Sequence, residues 1–400
     1  MARQPILDAE QRVYGYELLF RDGVQDGFPG VDPDLASTQV IGSTMLSIGL
    51  DVLTHGKPAF VNFSREALLG DQPEMLPIEG AVIEIVESVE ADDEVVAACI
   101  RLKDLGYRLA LDDFTYRPEL EPLLGLADFV KIDFELTDAS QRRDLVNTLR
   151  RHNVALVAEK VETVEDFQEG VALGCTHFQG YFFSRPVVYR GHDLRGHRSS
   201  YTQLIAEASQ PEIDLARLET IIKTDVSLSY KLLRYINSVS FGWKQRIASV
   251  GHALALLGQA QVHRWVMLVS VSGLAEGKPS ELAIMSALRA RLCEGLAGIG
   301  VAGPGVHELD GFMLGMFSLM DAIVDAPMTA ALDGVPLSPE VSAALLGEPN
   351  RARQVLDAVV AYERGRWGDV SAAAQALGLP EHHLPRLYTE AVEWASAVFD

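Results

Sequence analysis

The sequence predicts a TIM-like α/β barrel in the first half of the chain and an all-α domain in the second half. Three observations predict this division. Strand-length apolar runs alternate with amphipathic helical stretches up to about residue 190, nearly every such run ends in polar or charged residues, and the periodicity becomes helical after residue 200. A chain of 400 residues is long enough for two domains.

Six runs in the first half have the length and the branched or aromatic content of β-strands. Helical patterns lie between them, at Asp92–Leu105, Gln141–His152 and Val164–Leu173, and Gly106 and Gly174 stand where a helix C-cap is expected. Repeated strand–helix units indicate a parallel sheet, and this many units in one domain favour a closed barrel. The six runs are Lys57–Phe63, Ala81–Val86, Arg108–Phe114, Phe129–Asp133, Ala155–Lys160 and His177–Tyr181.

The polar residues that end these runs predict a cation site. Side chains alternate along a strand, so Glu84 shares a face with Val82, and Lys131 shares one with Asp133. Active sites of barrels lie at the carboxyl ends of the strands, and buried carboxylates without a partner are costly. For any single residue, a helix cap or a rim salt bridge is the better explanation, whereas the whole set favours a cation site. The set is Asn62, Glu84, Asp112, Asp113, Lys131, Asp133 and Glu159.

The second half is predicted to be helical throughout. A polar stretch at 187–200 is interpreted as a linker or a connecting helix, which gives a barrel over residues 1–190, a linker over 191–200 and a helical domain over 201–400. Breakers such as Pro211, Gly242, Gly258 and Gly277 separate the helical patterns. These patterns lie at Leu215–Lys223, Ser227–Asn237, Ser249–Leu257, Val262–Leu274, Ser280–Leu296, Gly311–Ala326, Ser338–Leu346, Ala352–Arg364, Ser371–Leu377 and Leu384–Val398.

Composition argues against several classes of function. A formal net charge of -22 repels a phosphate backbone and argues against nucleic acid as a partner, while a small phosphate ligand beside a metal ion stays compatible with it. The N-terminus lacks the apolar core of a signal peptide, and no run of about 18 apolar residues occurs. The 3 cysteines are scattered, as free thiols in a reducing compartment would be. These features predict a cytoplasmic protein without a membrane segment.

The first half carries an ordered series of short motifs. It begins with Glu17-Leu18-Leu19-Phe20-Arg21 and continues with Val61-Asn62-Phe63-Ser64, Glu84-Ile85-Val86-Glu87-Ser88, Asp112-Asp113-Phe114, Lys131-Ile132-Asp133, Ala158-Glu159-Lys160-Val161-Glu162, Gln179-Gly180-Tyr181 and Phe183-Ser184-Arg185-Pro186. The series resembles the EAL family of bacterial cyclic-di-GMP phosphodiesterases, with Leu18 in place of the alanine of Glu-Ala-Leu-x-Arg. Each motif is weak alone, but their order across residues 1 to about 190 is highly specific.

The resemblance implies roles for individual residues. Lys131 would orient the attacking water or a phosphate oxygen, Arg21 would bind a substrate phosphate, and Gln179 would lie beside the metal centre. Glu159 would help to activate water, and Asp112 is a candidate bridge between two ions. Oxygen ligands suit Mg²⁺ or Mn²⁺, and two-metal chemistry would open cyclic di-GMP to the linear dinucleotide pGpG. The implied divalent-metal ligands are Glu17, Asn62, Glu84, Asp112, Asp113 and Glu159.

Two departures from the family pattern bear on hydrolysis. The family's Gly-Thr-Gly loop after Asp-Asp-Phe is replaced by 115–118, where Pro118 restricts Arg117, and Glu87 thereby loses the loop that it anchors in the family. Lys160 replaces the glycine of Ala-Glu-Gly-Val-Glu, where it either places a cation beside Glu159 or points into solvent. This pattern is similar to the EAL–HDOD subgroup, whose barrels are often degenerate.

The second half resembles an HDOD domain. The motifs that carry this resemblance are 221–228, 232–238, 249–253 and 256–258. HDOD domains are related to HD phosphohydrolases without the metal-binding His-Asp dyad, and the corresponding segment here, 315–319, contains Ser318 and Leu319 instead. His307 and Asp310 lie nearby, but in a His-x-x-Asp arrangement. No cofactor is therefore expected in this half.

These observations lead to one main hypothesis and two alternatives. In the main hypothesis, the protein works in cyclic-di-GMP-related signal transduction: the divergent barrel senses nucleotide or metal, or serves as a platform within a homodimer, and the HDOD domain recruits a protein partner. The first alternative is an active, metal-dependent cyclic-di-GMP phosphodiesterase, and the second is a structural interaction protein that binds no nucleotide. The retained ligand set argues against the structural protein, and the replaced loop predicts that hydrolysis is absent or very slow.

Overall fold

The computed structural model divides the chain into two compact units. One unit comprises Met1–Phe183 with Glu363–Trp367, and the other comprises Ser184–Tyr362 with Gly368–Asp400. The structure describes residues 1–20, 49–185, 198–208, 210, 213–237, 247–303, 305–335, 337–380 and 382–399. Most of the predicted linker, 191–197, lies outside these residues, and its last three positions belong to a helix that begins at Arg198.

The first unit is built on a closed barrel of eight strands in chain order. The six predicted strands are present, with ends that differ by a few residues from the sequence prediction. Strands β2 to β8 run parallel, whereas β1 is antiparallel to both β2 and β8. The strands are β1 (Ala2–Asp8), β2 (Val13–Leu19), β3 (Ala59–Phe63), β4 (Ala81–Ile85), β5 (Arg108–Leu111), β6 (Phe129–Asp133), β7 (Ala155–Glu159) and β8 (His177–Gln179).

The first two strands were not identified from the sequence, and the turn between them explains the antiparallel direction of β1. Asp8 accepts hydrogen bonds from the backbone N–H groups of Glu10 and Arg12, and Gln11 takes a left-handed φ of 59°. A turn this short joins antiparallel neighbours, because a parallel pair needs a crossover of a dozen or more residues. The parallel sheet predicted from the strand–helix units therefore holds for seven of the eight strands.

Helices connect the parallel strands and are capped as the sequence predicts. Asp92 accepts a hydrogen bond from the Val95 N–H at 2.9 Å, and Gly106 and Gly174 end their helices with φ of 101° and 100°. The helices are α1 (Leu50–Thr54), α2 (Arg65–Leu69), α3 (Asp93–Leu105), α4 (Glu121–Leu124), α5 (Ala139–Leu149) and α6 (Val164–Leu173), with short 3₁₀ segments at Pro73–Met75, Pro118–Leu120 and Phe182–Ser184.

An apolar layer inside the barrel determines where the polar side chains emerge. Its members are Ile6, Phe60, Val82, Ala110, Phe129 and Val157. The next inward-facing position of a strand is two residues further on. That step leads from Phe60 to Asn62, from Val82 to Glu84 and, in antiparallel β1, back from Ile6 to Gln4. The apolar layer thus forms the floor beneath a polar rim.

The second unit is helical over the residues that the structure describes. Gly258 takes a non-helical φ of 71° and ψ of 166° within α10, and this kink separates the two helices predicted at 249–257 and 262–274. The predicted helix at 311–326 is split in two. Within the described residues, no helix is both long and apolar enough to cross a membrane. The helices are α7 (Arg198–Ala208), α8 (Leu215–Thr224), α9 (Val226–Ile236), α10 (Val250–Leu274), α11 (Ser280–Gly298), α12 (Glu308–Phe317), α13 (Met320–Val324), α14 (Met328–Ala331), α15 (Pro339–Leu345), α16 (Arg351–Glu363), α17 (Trp367–Leu377) and α18 (His383–Phe399).

Candidate metal and ligand site

The barrel rim receives one polar side chain from each strand or from the residue that follows it. Most of these side chains are buried, and Glu84 is 0% exposed. The structure therefore brings the residues predicted from seven of the strands into one layer, although the sequence separates them by up to 162 positions. The eight are Gln4, Glu17, Asn62, Glu84, Asp112, Lys131, Glu159 and Gln179.

Lys131 lies at the centre of this layer and contacts four carboxylates. Its Nζ is 3.1 Å from Glu17 Oε2, 2.9 Å from Asp112 Oδ1 and 2.5 Å from Glu159 Oε1, and it also contacts Glu84 Oε1. Burial works against its charge, but the surrounding carboxylates, Glu159 foremost, raise the pKa of Lys131 well above its usual value. Lys131 is therefore a fixed ammonium group.

One ammonium group does not balance four carboxylates. Glu17, Glu84 and Glu159 each bring an oxygen within 4.8 Å of the other two. Burial, followed by the neighbouring Glu17 carboxylate, raises the pKa of Glu84 well above its usual value, and burial also raises that of Glu159. The pKa of Asp112 is lowered, because Lys131 outweighs the effect of its burial. A cluster with this excess of negative charge favours an additional cation.

Oxygen atoms at the rim fit a divalent ion. Asn62 and Gln179 both direct their amide N–H groups to Glu17, at 2.8 and 2.7 Å. Their carbonyl oxygens, together with Glu84 Oε2, are buried and have no hydrogen-bond partner among the described residues. Asp113 Oδ1 is likewise buried and has no hydrogen-bond partner among the described residues. Unpartnered oxygens from carboxylates and amides are the donors that Mg²⁺ and Mn²⁺ prefer.

A second acidic group lies at the edge of the same rim. Glu87, Asp112 and Asp113 offer oxygens within 4.8 Å of one another, and Asp113 takes a left-handed φ of 39°. Burial, followed by the charge of Asp112, raises the pKa of Asp113. The sequence allowed two orientations for Lys160, toward Glu159 or into solvent. In the structure its Nζ contacts Asp133 Oδ2 and lies 3.6 Å from Asp113 Oδ2. It therefore faces this second group.

The replaced loop is anchored beside the two aspartates. The Phe114 N–H donates to the Lys131 carbonyl at 3.0 Å, and the Phe114 side chain is buried. Tyr116 is held outside the rim, where its hydroxyl accepts a hydrogen bond from Arg151 Nη2 at 3.0 Å. Arg117 is extended, with a φ of -135°, before Pro118 begins a 3₁₀ turn. The loop keeps Asp112 and Asp113 beside Glu87.

The sequence prediction and the observed site differ at two residues, because one predicted residue is not described and one observed residue was not predicted. Arg21, the predicted phosphate ligand, lies outside the described residues. Gln4 was missed by the sequence analysis, yet its Oε1 accepts a hydrogen bond from Gln179 Nε2 at 2.9 Å. Its position two residues before Ile6, on the same face of an extended segment, is the signal that could have identified Gln4.

In the helical unit, the residues considered for a metal have structural partners. Asp310 accepts a hydrogen bond from the His307 N–H at 3.0 Å, as an acidic residue in the first turn of a helix does, which explains their three-residue spacing. Ser318, at the position of the HD dyad, donates to the Gly315 carbonyl at 2.7 Å. His263 is buried, and burial lowers its pKa to about 4, so it is neutral near pH 7.

Comparisons with known proteins match both halves of the chain. The family model of the EAL domain matches residues 31–186, and that of the HDOD domain matches residues 197–298. The uncharacterized protein YuxH of Bacillus subtilis is 35% identical over 408 residues, covering 100% of this chain and 98% of its own length. The cyclic di-GMP phosphodiesterase CdgJ of Vibrio cholerae is 34% identical, covering 100% and 92%. A solved EAL domain protein of Listeria monocytogenes is 24% identical with a TM-score of 0.36, over 46% of this chain and 87% of its own.

Proposed function

The chain belongs to the family of proteins that join an EAL domain to an HDOD domain, and from that premise we propose that it acts in cyclic-di-GMP signalling. Its barrel binds cyclic di-GMP together with a divalent ion, and its helical half recruits a protein partner. The Vibrio cholerae relative, which aligns with the whole chain, is named as a cyclic-di-GMP phosphodiesterase, and this supports the choice of nucleotide.

The observation that carries the proposal is the set of buried oxygens at the rim that have no hydrogen-bond donor. Glu84 Oε2 and the side-chain carbonyls of Asn62 and Gln179 belong to three different strands, yet all three residues lie in the polar rim above one apolar layer. A purely structural barrel gains nothing from burying such atoms, because each costs free energy unless a ligand satisfies it. Glu17, Asn62, Glu84, Asp112 and Glu159 would hold the ion, which supplies Lewis acidity toward a phosphoryl oxygen.

Hydrolysis is a second candidate activity that the rim geometry favours. Lys131 and Glu159 lie 2.5 Å apart beside the candidate ion ligands. In hydrolysis, the oxygen of water bonds to phosphorus, the P–O3′ bond breaks, O3′ gains a proton and the linear product is pGpG. Lys131 would orient a phosphate oxygen, and Glu159 would take the proton from water. The replaced loop beside Asp113 remains the reason to expect slow turnover, since a misplacement of about 1 Å costs about 100-fold in rate.

Calorimetric titration of the full chain with cyclic di-GMP in Ca²⁺ and in Mn²⁺, followed by chromatography of the nucleotide, tests both activities. Binding without pGpG supports a sensing barrel. Turnover on the order of 1 per second or faster, lost in Glu17→Gln but retained in Glu79→Gln, supports the enzyme. Glu79 is the matched control because it is exposed and lies outside the rim. Absence of nucleotide binding in either ion contradicts the proposal.

Partner recruitment by the helical half rests on its surface chemistry. Tyr230 on α9 is 65% exposed, and an exposed tyrosine is a candidate contact because tyrosine is enriched among the residues that dominate protein interfaces. The net charge of -22 argues against nucleic acid as the partner. We expect Tyr230→Ala to reduce co-purification of a specific protein while cyclic-di-GMP binding stays unchanged. Equal recovery of that protein with the wild-type chain and the variant would remove Tyr230 from the interface.

A further inference from the structure

Lys160 places a side-chain cation at the second acidic group of the barrel rim. It follows Glu159, the last residue of β7, and takes a left-handed φ of 54° that side chains rarely adopt. Its Nζ contacts Asp133 Oδ2 and lies 3.6 Å from Asp113 Oδ2. The side chain is 45% exposed, and its ammonium group faces the two aspartates.

The backbone on both sides of Lys160 is held by hydrogen bonds to neighbouring strands. The Glu159 carbonyl accepts from the Phe134 N–H at 3.0 Å, and the Val161 N–H donates to the Gln179 carbonyl at 3.0 Å. Gly180 packs so closely on Val161 that an added Cβ would lie 2.1 Å from the Val161 carbonyl oxygen. These constraints fix the direction in which the Lys160 side chain leaves the barrel.

The charges around the Lys160 ammonium group come from three barrel segments. Asp113 follows β5, Asp133 ends β6 and Glu159 ends β7, while Lys131 is engaged with the four carboxylates at the centre of the rim. Asp133 is buried, and its other oxygen, Oδ1, accepts backbone N–H groups from Glu135 and Leu136. Both carboxylate oxygens of Asp133 thus have partners, and the charge of Asp113 is partly offset by the Lys160 ammonium group.

We propose that the Lys160 ammonium group serves as a built-in cation in place of a second divalent ion, so that the rim binds one ion rather than two. This inference rests on the proposed function for the first ion, which Glu17, Glu84 and Glu159 would hold. A second ion on Asp112, Asp113 and Glu87 would lie next to the ammonium group, and two like charges at this separation repel strongly. Lys160 is therefore a positioning residue that sets the metal stoichiometry.

The test is a set of three variants in the full chain. Lys160→Gly removes the cation and suits the left-handed backbone, Lys160→Asn removes it with a residue that tolerates this conformation, and Lys160→Arg keeps the charge. Bound Mn²⁺ is counted by equilibrium dialysis, and electron paramagnetic resonance detects magnetic coupling between two neighbouring Mn²⁺ ions. Circular dichroism verifies that each variant is folded.

We expect one Mn²⁺ per chain in the wild type and in Lys160→Arg, and two coupled ions in Lys160→Gly and Lys160→Asn. The dissociation constant of the second Mn²⁺ should be at least about 10-fold higher in the wild type than in Lys160→Gly. Two ions in the wild type, or one ion in both neutral variants, overturns this inference alone. If the variants differ in the number of bound Mn²⁺ ions as expected, but no form of the chain binds cyclic di-GMP, the proposed nucleotide is wrong and the inference about Lys160 stands. No bound Mn²⁺ in any variant overturns both.

Discussion

Replacement of Glu84 by glutamine separates the stability of the barrel from its capacity to hold an ion. Glu84 is 0% exposed and is surrounded by three other carboxylates and one ammonium group. Because burial raises its pKa, folding favours the neutral, protonated form of Glu84, and a charge on Glu84 disfavours the folded state relative to the unfolded state. Lys131 keeps three carboxylate partners after the substitution, so no buried cation is left unpaired.

The expected effect changes sign with the metal. Without divalent ions, Glu84→Gln should stabilise the chain by about 1–4 kcal/mol, the range found when buried ion pairs are replaced by neutral groups of similar volume. In a domain of this size, about 1 kcal/mol shifts the midpoint of thermal unfolding by about 2–4 °C. With Mn²⁺ at about 100 times its dissociation constant, the wild type should gain about 2.7 kcal/mol, and the variant, which lacks one ligand, should gain much less.

Differential scanning calorimetry in EDTA and in MnCl₂ measures both effects. We expect the variant to melt above the wild type in EDTA and below it in Mn²⁺, whereas exposed Glu79→Gln should follow the wild type in both buffers. If Glu84→Gln melts lower in EDTA, the Glu84–Lys131 contact outweighs the repulsion within the cluster. If Mn²⁺ stabilises the variant as much as the wild type, Glu84 is not an ion ligand.

Two further predictions concern the helical half, where tryptophan emission reports unfolding because 3 of the 4 tryptophans, all but Trp367, belong to the second unit. The pKa of His263 is about 4 in the folded chain and 6.5 ordinarily, so the unfolded state binds a proton first as the pH falls. Between pH 7.5 and 5, the free energy of unfolding of the wild type should therefore fall by about 2 kcal/mol more than that of His263→Phe. Equal losses in the two proteins would contradict this. Asp310→Ala should cost about 0.5–1.5 kcal/mol through loss of the hydrogen bond from the His307 N–H, and bound metal should stay unchanged. Loss of metal from both Asp310→Ala and His307→Ala would indicate a functioning HD site.

Local patterns in the sequence were sufficient for most of the elements. Val164–Leu173 has the predicted ends, and Gly106 and Gly174 terminate helices with a left-handed φ, because periodicity and capping depend on nearby residues. Strands β1 and β2 escaped the prediction, since Gly15 and the polar Gln4 interrupt their apolar alternation. The motif order was also enough to identify both domains, because most motifs of the first half mark the end of a strand and those of the second half mark its first helices.

What only the tertiary structure decided is how the rim residues face one another. The sequence could order Glu17, Glu84 and Glu159 along the chain, but the distances among them depend on the closure and stagger of the barrel. It left open whether Lys160 points into solvent, and the structure directs the ammonium group to Asp133, because hydrogen bonds to adjacent strands hold that backbone in a left-handed conformation. Residue identity determines which groups are ionisable, whereas strand pairing over more than 100 positions determines which of those groups meet.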